Sequence, residues 1–103
     1  MCNNSMTVTY EDVVKARQTQ NEVIRKTNLE FSETFSKISG ANVYLKNEYE
    51  QKTGSFKIRG AYSKIKSLTD NEKSKGVVAA SAGNHSQGVA FASHIENLSL
   101  IHI

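Results

Sequence analysis

Lys57 stands two residues after Ser55, at the point where a turn passes into a helix. An amine so placed can attack a carbonyl and hold it as a Schiff base. Thr53 and Gly54 supply turn chemistry, and Ser55 is placed to cap the helix that follows. Beyond it, Ile58, Ala61, Tyr62, Ile65 and Leu68 recur at helical spacing and form one apolar stripe. Lys57 therefore falls in the first turn, near the positive end of the helix dipole, where an ammonium is disfavoured and a free amine favoured. For a lone lysine in a first turn the default is an ordinary solvated side chain, so its surroundings decide.

A second stretch with chemical potential is Ser81-Ala82-Gly83-Asn84-His85. It joins the end of a strand, Val77 to Ala80, to a helix starting near Asn84, a junction that collects exposed backbone N–H donors. Those donors and the helix dipole make an anion site suited to the carboxylate of an amino acid. Ala82 and Gly83 are small enough for the backbone to approach a ligand closely. Taken alone, a plain N-cap, with Asn84 and Ser81 satisfying amides, explains the stretch equally well.

Together the two stretches resemble the serine/threonine dehydratase family of pyridoxal-phosphate enzymes, which includes threonine ammonia-lyases and serine racemase. The family carries its cofactor lysine in Ser-Phe-Lys-x-Arg-Gly-Ala, and residues 55–61 match every fixed position. The likeness reaches back through Val43-Tyr-Leu-Lys-Asn-Glu-Tyr-Glu-Gln51 and resumes at Ser81-Ala-Gly-Asn-His-Ser-Gln-Gly-Val-Ala90. Ile58-Arg59-Gly60-Ala61 favours the dehydratase branch over relatives that make cysteine and carry Asp-Arg after the lysine. The resemblance implies pyridoxal 5'-phosphate bound covalently to Lys57, with Asn84 at the hydroxyl of its ring and Phe56 against it. It further implies that Ser81, Ala82, Gly83, Asn84 and His85 grip the substrate carboxylate. Lys57, freed by the incoming amino acid, is then the natural base for the α-proton. Threonine gives 2-oxobutanoate and ammonia; serine gives pyruvate. Racemisation of serine needs a second acid on the opposite face, which would lie outside these motifs. Arg59 is expected to fix the loop by a charged hydrogen bond, and Phe56 has core packing as its alternative.

These residues need a scaffold, and the chain supplies one of α/β type. A helix is expected from Thr9 to about Lys26, opened by a Thr9/Asp12 capping box, with Val13, Ala16, Val23 and Ile24 on one face. A short helix from about Ser32 to Ile38 ends at Gly40, and Asn42 to Tyr49 alternates as a strand does. The lysine helix runs to Leu68, and a second capping box, Thr69/Glu72, starts a one-turn helix closed by Gly76. Val77 to Ala80 reads as a strand buried on both faces, followed by a helix from Asn84 to His94 and a strand from Leu98 to Ile103. This succession argues for parallel strands joined by right-handed crossovers. The resemblance implies the three-layer parallel-sheet architecture of fold-type II pyridoxal-phosphate enzymes, incomplete here. Residues 1–76 would belong to the large cofactor-binding domain and residues 77–103 would begin the small substrate-binding domain.

Composition narrows the field. The 103 residues carry thirteen Lys and Arg against ten acids, a net charge of +3 spread along the chain. There is no basic stripe with aromatics that would suggest nucleic acid. Cys2 is the only cysteine, so neither a disulfide framework nor a zinc site is expected, and His94 and His102 lack partners at ligand spacing. Residues 1–8 have no apolar signal core and no later run would span a bilayer, so a cytosolic protein is the default. The six glycines never cluster, whereas the family's glycine-rich phosphate loop lies well downstream of its lysine. Two readings stay open: the N-terminal piece of an enzyme, homo-oligomeric when complete, or a non-catalytic truncated product.

Overall fold

The computed structural model describes residues 7–103, and Cys2 lies outside that span. Helix α1 (Tyr10–Gln20) opens with the anticipated capping box. The Thr9 hydroxyl accepts from the Asp12 N–H at 3.2 Å, and the Asp12 carboxylate accepts from the Thr9 N–H at 2.9 Å. The helix stops well before Lys26 because Gln20 turns inward. Its amide donates to the Arg59 carbonyl at 2.9 Å and to Ser63 Oγ at 2.7 Å, while its carbonyl accepts from the Val23 and Ile24 N–H groups in a tight turn. Val23 and Ile24 reach the core from that turn, and Val13, expected on the same face, is exposed.

A strand that sequence patterning does not reveal follows, β1 (Leu29–Phe31). It pairs antiparallel with β2 (Tyr44–Lys46), placing Leu29 opposite Lys46 and Phe31 opposite Tyr44. Between them lies α2 (Glu33–Ser39), capped by Ser32 and closed by Gly40 in the left-handed conformation, φ 71°. The strand expected over Asn42–Tyr49 therefore contracts to three residues, after which Glu48–Glu50 form a single 3₁₀ turn. Its alternation does not bury a face: β1 and β2 are exposed throughout, a ribbon in which Phe31 and Tyr44 cover each other edge-on at 5.4 Å.

Helix α3 (Lys57–Ser67) buries Ile58, Ala61, Tyr62 and Ile65 of the predicted stripe, while Leu68 lies at its C-cap in extended backbone and is half-buried. Helix α4 (Asp70–Ser74) carries the second capping box, and Gly76 turns the chain into β3 (Val77–Ala79). Glycine is needed there twice over: φ is 72°, and a Cβ would sit 2.7 Å from the Ser99 carbonyl oxygen. Helix α5 (Asn84–Ile95) then crosses back to β4 (Leu100–His102), which pairs parallel with β3. This β3–α5–β4 unit is the parallel crossover that the patterning implies, whereas β2 pairs with β1 and not with β3. Nor is β3 buried on both faces. Ala79 is buried toward α5, but Val78 and its partner Ile101 are 63% and 61% exposed. The fold is thus an incomplete α/β arrangement, a strip of parallel sheet covered on one face.

The core sits where α3, α5 and β3 meet, in one cluster of Ala61, Tyr62, Ile65, Ala79, Val89 and Ala92, with Val77, Leu98 and Leu100 packed against it. A charged clasp closes its far end. Glu96 accepts from Lys66 and Lys73 at 3.0 Å each and from the Tyr62 hydroxyl at 3.2 Å. Burial pushes the Glu96 carboxyl up, but the hydrogen bonds from the two lysines outweigh it and hold the group below its ordinary value.

Candidate active site

Three helices are capped by a hydroxyl: Thr9 on α1, Ser32 on α2 and Thr69 on α4. Helices α3 and α5 are not; Phe56 and Gly83 occupy their cap positions and neither offers a side-chain acceptor. Ser55, expected to cap α3, lies one residue too early, and its Oγ meets the Lys57 N–H only at 3.4 Å. Ser81 Oγ accepts from the Gly83 N–H at 3.3 Å outside the helix, and Asn84 is the first helical residue. Ser81 thus satisfies one amide, as the plain-cap explanation expects, whereas Asn84 makes no capping bond. Both helices present the positive end of their dipole without a side chain to absorb it.

One close contact brings these two ends together. Gly88 is buried in α5, and a Cβ there would lie 3.1 Å from the Lys57 carbonyl carbon and from the Ile58 nitrogen. Only a residue without a side chain lets the two backbones approach so far. Asn84 is one turn earlier on the same face of α5, roughly 6 Å along the axis. The lysine and the Ser81–His85 loop thus share one end of the helix pair. In the sequence Gly88 is only one more residue of the second block; the packing makes it the spacer between α5 and α3.

Lys57 is exposed, and its Nζ lies 5.2 Å from the centre of the Phe56 ring. No hydrogen bond or ion pair engages that nitrogen among the described residues. Phe56 is 59% exposed, so it is not core; it flanks the amine. Ala82, Gly83, Asn84 and His85 are exposed and Ser81 is half-buried. The loop is tied down by Ser86 Oγ donating to the Gly83 carbonyl at 2.6 Å and by contact of His102 Nε2 with the Ser81 carbonyl. His94 is exposed, and no metal-binding cluster of His, Cys, Asp or Glu occurs among the described residues.

The segment leading into α3 is held from below. Arg59 makes the expected charged hydrogen bond, and its partner, unforeseen, is Glu48: Nε and a terminal nitrogen each donate to one carboxylate oxygen at 2.7 Å. The Arg59 hydrogen bonds, opposed by burial and aided by Thr27, lower the Glu48 pKa to about 2. Gln51 is buried and pairs reciprocally with Arg25, accepting from its N–H at 2.9 Å and donating to its carbonyl at 2.8 Å. In the same segment Thr53 Oγ1 is buried without a partner. An amine free of hydrogen bonds and ion pairs, an uncapped helix start, small residues at the loop and an orphaned hydroxyl in the segment that leads to the lysine are a donor set that fits a carbonyl-bearing, anionic cofactor and an amino-acid substrate.

Comparison with known proteins fits this arrangement. Residues 21–102 match the family described as pyridoxal-phosphate dependent enzymes. The chain belongs to that family. Among curated family members, it is 53% identical over 88 residues to an L-threonine ammonia-lyase of Thermotoga maritima, covering 85% of this chain and 22% of that protein. It is 51% identical to a catabolic L-threonine dehydratase of Escherichia coli, covering 82% of this chain and 26% of the relative. Among solved structures, serine racemase from Dictyostelium discoideum superposes with a TM-score of 0.83 at 41% identity, over 90% of this chain and 30% of that one. A threonine deaminase from Solanum lycopersicum gives 0.73 at 35% identity, over 92% and 28%. The chain thus spans about a quarter of the length of these curated relatives. Its fold is the fold-type II architecture in part.

Proposed function

We propose that this chain carries the lysine-bearing part of a pyridoxal-phosphate dependent ammonia-lyase, which converts L-threonine to 2-oxobutanoate and ammonia and accepts L-serine as well. The observation that carries the reading is the close approach, through Gly88, of the Lys57 backbone to α5, whose uncapped start the Ser81–His85 loop leads into. Identity of 53% to a threonine ammonia-lyase supports the choice of reaction. In this reading Lys57 would hold the cofactor covalently, Phe56 would flank it and Asn84 would contact its ring hydroxyl. When bound, the cofactor supplies an electron sink for the substrate Cα. Ser81, Ala82, Gly83, Asn84 and His85 bind the substrate carboxylate at the uncapped start of α5 and orient the Cα–H bond toward Lys57. Lys57 Nζ, freed when the substrate amine takes its place, would accept the proton from that carbon; the hydroxyl would leave the neighbouring carbon with a proton as water, and hydrolysis of the released enamine would give the 2-oxo acid and ammonia.

The surrounding assignments belong to the same proposal. Residues 1–76 form part of a cofactor domain, residues 77–103 begin a substrate domain, and the complete enzyme is a cytosolic homo-oligomer. The 103 residues alone have negligible activity, because nothing in them supplies a glycine-rich phosphate cradle. A serine racemase-like reaction is the second reading, favoured by the TM-score of 0.83 to a serine racemase. Incubation of the complete protein with L-threonine and L-serine separates them: ammonia with 2-oxobutanoate or pyruvate supports the lyase, and D-serine without ammonia supports the racemase. Turnover by the 103 residues alone contradicts the proposed inactivity.

A further inference from the structure

One closely held side chain is a carboxylate that the proposed reaction does not use. Glu48 is 16% exposed and faces Arg59 across a two-pronged contact. Its oxygen Oε1 also accepts from the Thr27 hydroxyl at 2.6 Å, and the Thr27 carbonyl in turn accepts from Lys46 Nζ at 2.6 Å. Arg59 is two residues beyond Lys57, within the first turn of α3. Its own carbonyl is held from the other side by the buried amide of Gln20. The first turn of α3, which lacks a capping side chain, is therefore gripped through Arg59 at both its side chain and its backbone.

From this geometry we infer that Glu48 is a positioning residue for Lys57: with Arg59 it fixes the register and direction of the uncapped start of α3, and thereby where the lysine amine is presented. The planar fork of Arg59 permits one orientation relative to the carboxylate, which a lysine at that position would not enforce. Gly88 sets how closely α5 approaches the Lys57 backbone; Glu48 sets the backbone that α5 approaches. The inference rests on the proposed attachment of the cofactor at Lys57, but its structural half stands without it.

The test compares Glu48→Gln, Arg59→Lys and the double variant with the unaltered full chain, at a temperature where urea titration shows each folded. Two readouts are taken: borohydride trapping of pyridoxal phosphate at Lys57 relative to the exposed Lys52 in the same molecule, and hydrogen exchange at the amides of residues 57–61 relative to α5. Each single variant is expected to lower the Lys57 to Lys52 trapping ratio about tenfold and to speed exchange in the first turn of α3, and the double variant is expected to be no worse. Trapping and exchange unchanged in folded Glu48→Gln and Arg59→Lys overturn the inference, as does additivity of the two losses. Absence of selective trapping in the unaltered chain contradicts the attachment at Lys57, and the exchange comparison then decides the positioning role alone.

Discussion

Replacing Gly88 by alanine tests the contact that unites the two halves of the site. The added methyl meets three backbone atoms at 3.1, 3.1 and 3.2 Å, all in Lys57 and Ile58. Carbon atoms rest against each other at about 3.5–4.0 Å, so α5 must retreat from α3 by several tenths of an ångström. Overpacking of this kind costs about 1–3 kcal/mol. Against it stands the gain of about 1 kcal/mol when glycine in a helix becomes alanine. The net expectation is a loss of about 0–2 kcal/mol. Gly60 supplies the control: it also lies inside a helix, α3, but a Cβ there meets nothing within 4 Å. Gly60→Ala should therefore stabilise by about 1 kcal/mol, and the gap between the two variants isolates the steric term. Urea unfolding of both measures it. Equal stabilisation by the two substitutions would refute the close approach of α5 to Lys57, and with it the geometry of the site.

Further consequences concern the scaffold. Glu48 has its pKa lowered from 4.5 to about 2, so the stability it contributes is complete above pH 4.5 and is lost as the pH falls toward 2. At about 1.4 kcal/mol per unit that contribution is bounded at about 3 kcal/mol, and acid titration of stability should flatten over this window in Glu48→Gln. Thr69→Ala removes the hydroxyl that accepts from the Glu72 N–H at 3.3 Å and should cost about 1 kcal/mol by thermal or urea melting. Gln51→Ala strands the N–H and carbonyl of Arg25 and should cost about 1–3 kcal/mol, with faster amide exchange at Arg25 as its signature.

The parts of this molecule that sequence reveals are those decided by neighbours along the chain. Both capping boxes, the left-handed Gly40 and Gly76 and the buried stripe of α3 follow from local spacing, and all appear. What escapes is set by distant pairing. Leu29-Glu-Phe31 is too short to show a period and becomes a strand only because Tyr44–Lys46 lies beside it. Gln20 ends α1 early because the Arg59 carbonyl and Ser63 draw its side chain inward. In the site, Lys57 and the Ser81–His85 loop are legible as reactive types at telling positions. Their meeting depends on Gly88, and the grip on Arg59 depends on Glu48, eleven residues upstream. Neither dependence has a local signature.

Attachment at Lys57 is the claim on which the account turns, and covalent trapping reaches it most directly. The complete protein is incubated with pyridoxal phosphate, reduced with borohydride, digested and mapped by mass spectrometry, alongside Lys57→Ala. A single reduced adduct on Lys57, lost in the variant, is the predicted result. An adduct on another lysine, or labelling spread evenly over Lys52, Lys57 and Lys64, contradicts it.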